Sequence, residues 1–268
     1  MYLAPDKFRT TLKMRIQALF FLLFIFAVSC KKEEEVQEPP RDVGEQALED
    51  NNTLLDYLQS HTYNYEDFEN NSLTPETTLL LDTLTTENDH KTPLIDLVQE
   101  RKVDVFTVDG DKVEHTLYYL VARQGVGNQP AAVDSTFVVY EGSLLNGTVF
   151  DQRKNPIWFD LLQSIRGFRE GMTALRAGTY TVNDDNTVNF DNFGQGVLFI
   201  PSGMGYFSTA QANIPAYSPL IFKVSLYAMT ESDHDQDGVL TKEEYDNDND
   251  GLPDDSDEDG IPDYLDKD

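Results

Sequence analysis

The stretch Val138-Val-Tyr-Glu-Gly-Ser-Leu-Leu-Asn-Gly-Thr-Val-Phe-Asp151 decides the fold. It reads as two strand fragments, Val138 to Tyr140 and Thr148 to Phe150, joined through the turn-prone Leu144-Leu-Asn-Gly147. Asn146-Gly147 is a hairpin signal because both residues tolerate the positive φ that a tight turn requires. The flanking residues are β-branched or aromatic and suit a half-buried sheet face. Asp151 follows Phe150 directly, so a carboxylate sits where an aromatic strand leaves the core. Two readings of it stand at this point: a solvated strand end, or the polar rim of an aromatic pocket.

Outward from this stretch, the composition narrows the choices. A chain of 268 residues with a net charge of −28 has room for one or two domains. Such a charge repels nucleic-acid backbones and anionic lipid surfaces and attracts divalent cations. The charge is concentrated: residues 231–268 hold seventeen Asp and Glu against two Lys. Cys30 is the single cysteine, which excludes an intramolecular disulfide. It ends a basic start (Lys7, Arg9, Lys13, Arg15) followed by the apolar run Ala18 to Val28, the pattern of a secretory signal rather than of a spanning helix. Met14 is an alternative start.

Residues 31–45 are rich in charge and proline and read as a flexible tether. From about Asp42 to His61, Val43, Ala47, Leu54, Leu55 and Leu58 approximate a helical stripe. A second weak helix is expected over Pro75 to Leu84, and 62–74 reads as loop. The segment 46–102 as a whole carries no legible function. Alternation from Val103 to Val108 and from Glu114 to Ala122 predicts two strands with a turn at Asp109-Gly110. After the central hairpin come a strand at Ile157 to Leu161 and a short helix around Ile165 to Leu175 stopped by Gly178. A polar loop over 179–196 and strands at Val197 to Ile200 and Leu220 to Leu226 complete the body. The expected class is α+β, an antiparallel sheet wrapped around one short helix, over 103–230.

Five runs in this order carry a resemblance: Val138-Val-Tyr-Glu-Gly with Asn146-Gly-Thr-Val-Phe-Asp151; Asn155-Pro with Phe159; Ile165-Arg-Gly-Phe-Arg-Glu-Gly171; Ile200-Pro201 with Gly205-Tyr206; and Ile214-Pro-Ala-Tyr-Ser-Pro-Leu-Ile-Phe-Lys-Val224. From about Glu114 to Met229 the chain resembles the FKBP-type peptidyl-prolyl isomerases. The resemblance implies an apolar pocket between sheet and helix, walled by Tyr140, Phe150, Asp151, Phe159, Ile165, Tyr206, Ile214 and Phe222 and floored by Phe168, where many members have Trp. It also implies that the Ile214 N–H holds a ligand carbonyl while the Tyr206 hydroxyl and Asp151 make polar contacts. Ile157 replaces a common Phe and Asn213 an apolar residue; Asn213 and the Phe168 floor tell against tight binding of the family's macrolide ligands. The implied chemistry, rotation of an X–Pro bond in proline-containing polypeptides, needs no cofactor. Ala27-Val-Ser-Cys30 likewise resembles a bacterial lipobox, implying a lipoprotein signal peptide over 1–30 that is cut before Cys30, lipidation of Cys30 as the mature N-terminus, an outer-membrane lipoprotein, and exposure to either the periplasm or the cell surface.

In the tail, Asp233-His-Asp-Gln-Asp-Gly-Val-Leu-Thr-Lys-Glu-Glu244 fits an EF-hand loop, with oxygens from Asp233, Asp235, Asp237, the Val239 carbonyl, Thr241 and Glu244. Two shorter repeats resemble thrombospondin type 3 repeats: Asp246, Asp248, Asp250 and Asp254, then Asp255, Asp257, Asp259 and Asp263, with Asp257 and Asp266 in position to complete the shells. The expectation is structural Ca²⁺ in 231–268. Besides the isomerase, two other functions fit: a peptide-binding or chaperone module without turnover, and a calcium-dependent structural surface lipoprotein.

Overall fold

The structure, a computed structural model, describes residues 39–69 and 77–267. The signal segment, Cys30 and most of the tether lie outside the described residues. Residues 41–268 form one compact unit. Helix α1 (Val43–Ser60) opens on Asp42, whose side chain accepts the Glu45 N–H. An Asp at that place satisfies one of the orphan donors of the first turn. The helix therefore begins inside the stretch read as tether.

Strand β1 (His61–Tyr63) and a helical turn α2 (Glu66–Glu69) follow, and β2 (Leu81–Thr83) pairs antiparallel with β1. The helix expected over Pro75 to Leu84 is thus replaced by a strand at its C-terminal end. Asn64 closes the ribbon, its Oδ1 accepting the Leu80 N–H at 2.8 Å. A paired ribbon satisfies the backbone that a short, weakly amphipathic helix would have left to local bonds alone.

The main sheet is built from β3 (Gln99–Phe106), β4 (Lys112–Arg123), β5 (Ser135–Leu144) and β6 (Val149–Asp160). It is completed after helix α3 (Arg166–Met172) and the hairpin β7 (Thr179–Val182) and β8 (Val188–Asp191) by β9 (Gly194–Ile200) and β10 (Leu220–Thr230). The order is β3-β4-β9-β10-β5-β6, every pair antiparallel. The expected α+β class is what the chain forms. The stretch 179–196 is not a plain loop: Val182 pairs with Val188 and Thr179 with Asp191. Its polar composition hid the strands because this hairpin stands almost wholly in solvent on both faces.

The β5–β6 connection also differs in detail. Gly147 alone has positive φ, +82°, and the Leu144 N–H bonds the Thr148 carbonyl at 2.9 Å. A three-residue loop with glycine in the left-handed region and a bulge replaces the two-residue turn.

Strand β9 is buried along its whole length because the sheet is covered on both faces. Leu198 and Ile200 join Leu117, Tyr140, Phe168, Met172 and Phe222 on the α3 side. Val197 and Phe199 join Leu54, Leu58, Leu94, Tyr118 and Ile221 on the other. Such a strand reads as a continuous apolar run rather than an alternation. Helix α3 lies close on this strand: a Cβ on Gly167 would meet Ile200 Cγ2 at 2.1 Å, and one on Gly171 would meet Leu198 at 2.7 Å. Residues 43–69 and 77–98 thus acquire a structural role that their sequence withheld: they cover the back face of the sheet.

Candidate functional site

The front face carries a cavity of about 530 Å³ between α3, the inner ends of β5, β6 and β10, and the β9–β10 connection. All nine side chains expected for the pocket line it: Tyr140, Phe150, Asp151, Phe159, Ile165, Phe168, Tyr206, Ile214 and Phe222. Gln163, Ser164, Gln211, Ala212 and Asn213 complete the wall. Of these, the sequence reading had singled out Asn213. The others are polar or small residues in irregular backbone, where no periodicity marks an inward side chain.

Alternation explains the strand contributions. Tyr140 and Gly142 share one face of β5, and Phe222 and Val224 one face of β10, with Phe222 opposite Gly142 and Val224 opposite Tyr140. Phe168 is the hub of an aromatic cluster. Its ring meets Phe222 at 5.2 Å, Phe159 at 5.6 Å and Tyr140 at 6.0 Å, each edge to face. Phe150 meets Phe222 in the same manner at 5.6 Å. These are the arrangements that ring quadrupoles favour, and they fix the shape of the floor.

Two polar groups sit at this apolar surface. The Tyr140 hydroxyl donates to Asp151 Oδ2 at 2.6 Å. Burial, and after it the Asp151 carboxylate, pushes the Tyr140 phenol up to about 12. Asp151 is therefore an exposed carboxylate at the rim of the cavity, already engaged by a wall residue. The Ile214 N–H, expected to face a ligand carbonyl, donates to the Gln211 carbonyl at 3.2 Å, and the Gln211 N–H returns a bond to Ile214 at 2.8 Å.

The loop that carries Tyr206 and Ile214 is held from behind by α1. Asp50 is 1% exposed; its Oδ2 accepts both the backbone N–H and the hydroxyl of Ser202 at 2.7 Å, and its Oδ1 accepts Gln46 Nε2 at 2.8 Å. Ser202 opens the tight turn leading to Tyr206, and its carbonyl accepts the Phe207 N–H. The Arg41 N–H donates to the Tyr217 hydroxyl, and its guanidinium lies 4.6 Å over that ring. Burial raises the Asp50 carboxyl above its ordinary value, against the pull of its Ser202 and Gln46 donors, and burial lowers His115 nearby. The sequence reading missed Asp50 because an Asp inside a weakly amphipathic helix looks like a solvated face.

The acidic tail folds as three similar loops. In each, the glycine N–H bonds the first Asp (Gly238 to Asp233, Gly251 to Asp246, Gly260 to Asp255). Carboxylate oxygens gather within 4.8 Å in each of the sets Asp233, Asp235, Asp237; Asp246, Asp248, Asp250; and Asp255, Asp257, Asp259. Three other expected ligands are placed differently. Thr241 Oγ1 contacts His234 Nδ1 at 2.7 Å, Asp254 accepts the Asn247 N–H, and Asp263 accepts the Ser256 N–H and hydroxyl. These groups brace the loops. Burial, and then Asp237, Asp235 and Asp233, raise the Glu244 carboxyl above its ordinary value.

The chain is 34% identical over 114 residues to a probable FKBP-type peptidyl-prolyl cis-trans isomerase FkpA of Neisseria meningitidis, covering 41% of this chain and 36% of that protein. It is 32% identical over 129 residues to the FKBP-type peptidyl-prolyl cis-trans isomerase FkpA of Aeromonas hydrophila, covering 47% and 42%. The crystal structure of FkpA from Escherichia coli aligns with 28% identity and a TM-score of 0.36 over 47% of this chain and 51% of that one. The chain thus spans about half or less of the length of these relatives. No family model matches.

Proposed function

We propose that the chain is an exported FKBP-type peptidyl-prolyl cis-trans isomerase, anchored to a membrane through lipid on Cys30 and acting on proline-containing polypeptides during their folding. The observation that carries this reading is the convergence of the nine expected side chains on one aromatic cavity, supported by similarity over part of the chain to relatives that bear the isomerase name.

Rotation about an X–Pro bond crosses a barrier of about 18–20 kcal/mol and takes tens of seconds or more unassisted. Water hydrogen-bonded to the carbonyl oxygen favours the charge-separated planar amide. In this pocket the rings of Phe150, Phe159, Phe168 and Phe222 take the place of that water around the prolyl bond, which makes the twisted amide relatively less costly. Tyr206 and Asp151 supply polar contacts at the mouth. The Ile214 N–H holds the substrate carbonyl once it exchanges its long bond to Gln211 for the substrate.

The same Ile214–Gln211 bond favours one alternative: a peptide-binding chaperone module in which the exchange is too costly for turnover. A protease-coupled assay on proline peptides separates the two. The isomerase reading expects catalysis that drops in Phe150→Ala and Tyr206→Ala while the fold is kept. Isomerisation at the uncatalysed rate, with peptide still bound, supports the chaperone module. Labelling with a radioactive fatty acid, lost in Cys30→Ala, tests the anchor.

A further inference from the structure

Among the described residues, the first acidic loop buries two unpartnered carboxylate oxygens, whereas the third buries one, Asp255 Oδ1. Asp235 is 7% exposed, its Oδ1 accepts the Asp237 N–H, and its Oδ2 is inaccessible to solvent with no hydrogen-bond partner. Glu244 Oε2 is likewise buried without a partner. A carboxylate oxygen in that state, facing other carboxylates, is costly unless a cation completes it. Oxygen donors alone, in a flexible loop with a glycine at the bend, suit a large hard divalent cation better than Mg²⁺, which retains its waters.

The same loop is also fastened to the body at two places that border the pocket. His234, between Asp233 and Asp235, approaches Asp160 Oδ2 at 3.4 Å through Nε2. Asp160 caps the turn Leu161–Gln163 by accepting the Leu162 N–H, and that turn leads to Ser164 and Ile165 in the pocket wall. Tyr245, next to Glu244, accepts a bond from Arg169 Nη1 at 3.2 Å, and its ring lies 5.6 Å from that guanidinium. Arg169 neighbours Phe168, the pocket floor. Lys112 ties the second loop to the body, donating to the Asp250 carbonyl at 2.8 Å.

We propose that Asp233, Asp235, Asp237, Glu244 and the Val239 carbonyl bind one Ca²⁺, and that this ion fastens the tail to Asp160 and to α3, bracing two sides of the pocket. The tail is then a clasp closed by calcium. Without the ion, repulsion among these carboxylates pushes Glu244 outward and withdraws Tyr245 from Arg169. Binding and bracing do not depend on the isomerase reading; only the consequence for turnover rests on it.

The test uses the full chain, stripped with chelator and titrated with CaCl₂ by calorimetry, with MgCl₂ in parallel. The expected tightest event is one ion per chain, with a dissociation constant of roughly 10⁻⁴ M or below, abolished in Asp235→Asn with Glu244→Gln and kept in Asp248→Asn. Thermal melting in 10 mM CaCl₂, a concentration about 100-fold above such a constant, rises by roughly 5 °C in the parent and not in the double variant. Tyr245→Ala retains the calcium heat but loses most of that rise. No heat at millimolar calcium overturns the site, as does undiminished tight binding in the double variant. A melting shift in Tyr245→Ala equal to the parent's overturns the clasp while leaving the site. Far-UV circular dichroism of each variant separates loss of a ligand from loss of the fold. Should turnover be absent throughout, calorimetry and melting still decide the matter.

Discussion

The Tyr140 hydroxyl and Asp151 Oδ2 lie 2.6 Å apart across the β5–β6 hairpin, although their strand partners differ: Tyr140 is opposite Arg153, and Asp151 opposite Gly142. A diagonal bond of this kind fixes the mouth of the pocket from both strands. The Tyr140 phenol, at about 12, keeps its proton in the folded state beyond the point where it would lose it unfolded. Its contribution to stability is therefore complete below the ordinary tyrosine value of 10.0 and is lost as pH rises through about 12. In Asp151→Asn the phenolate band of an ultraviolet titration moves to lower pH, since the carboxylate no longer opposes ionisation. Burial remains the larger cause, so the return towards 10 is partial.

Phe168 separates packing from binding. Truncation to Ala removes the ring that meets Tyr140, Phe159 and Phe222, and costs about 3–5 kcal/mol in denaturant unfolding. Tyr206→Phe leaves this cluster alone, so its unfolding midpoint stays within about 0.5 kcal/mol of the parent while peptide affinity falls.

Gly142 sets the spacing of the aromatic wall. A Cβ there would stand 2.7 Å from Phe150 Cε2 and 2.8 Å from Phe222 Cε1. Gly142→Ala forces both rings to turn, at an expected cost of about 1–3 kcal/mol, and shrinks the cavity. Proline-peptide binding measured by calorimetry weakens in this variant before global unfolding is seen.

Asp50 ties the pocket loop to α1. Because burial raises its carboxyl, the folded protein holds this proton more tightly than the unfolded chain. Stability from this group is then full below the ordinary Asp value of 3.8 and declines as pH rises through the raised one. Asp50→Asn flattens that part of the unfolding-versus-pH curve. His115, the buried neighbour, acts oppositely: burial lowers its pKa, so protonation on acidification destabilises the fold. Asp50→Ala leaves the Ser202 N–H and hydroxyl buried without an acceptor and costs about 2–4 kcal/mol. Slower proline-peptide turnover in Asp50→Asn at unchanged stability would mark Asp50 as positioning the Tyr206 loop.

Much of the pocket was legible because its side chains fall in runs whose order and spacing are local. Val138 to Tyr140 and Leu220 to Leu226 declare themselves by β-branched and aromatic content, and Asp151 by its place after Phe150. The hairpin at 179–191 did not, since strands exposed on both faces carry no alternation. The helix expected near Leu84 failed because β1 offered its neighbour a ladder that local propensity cannot register.

The sequence by itself determined the strands of the main sheet, the short helix, the aromatic set of the pocket and three Asp-x-Asp-x-Asp-Gly loops, because these follow from side-chain period and turn chemistry within a few residues. Only the tertiary structure decided that residues 43–69 and 77–98 cover the back of the sheet, that Asp50 meets Ser202 across 152 residues, that the Ile214 N–H is already engaged, and that Asp235 buries an unpartnered oxygen. Burial and hydrogen-bond satisfaction belong to groups brought together from distant parts of the chain, so no local pattern can carry them.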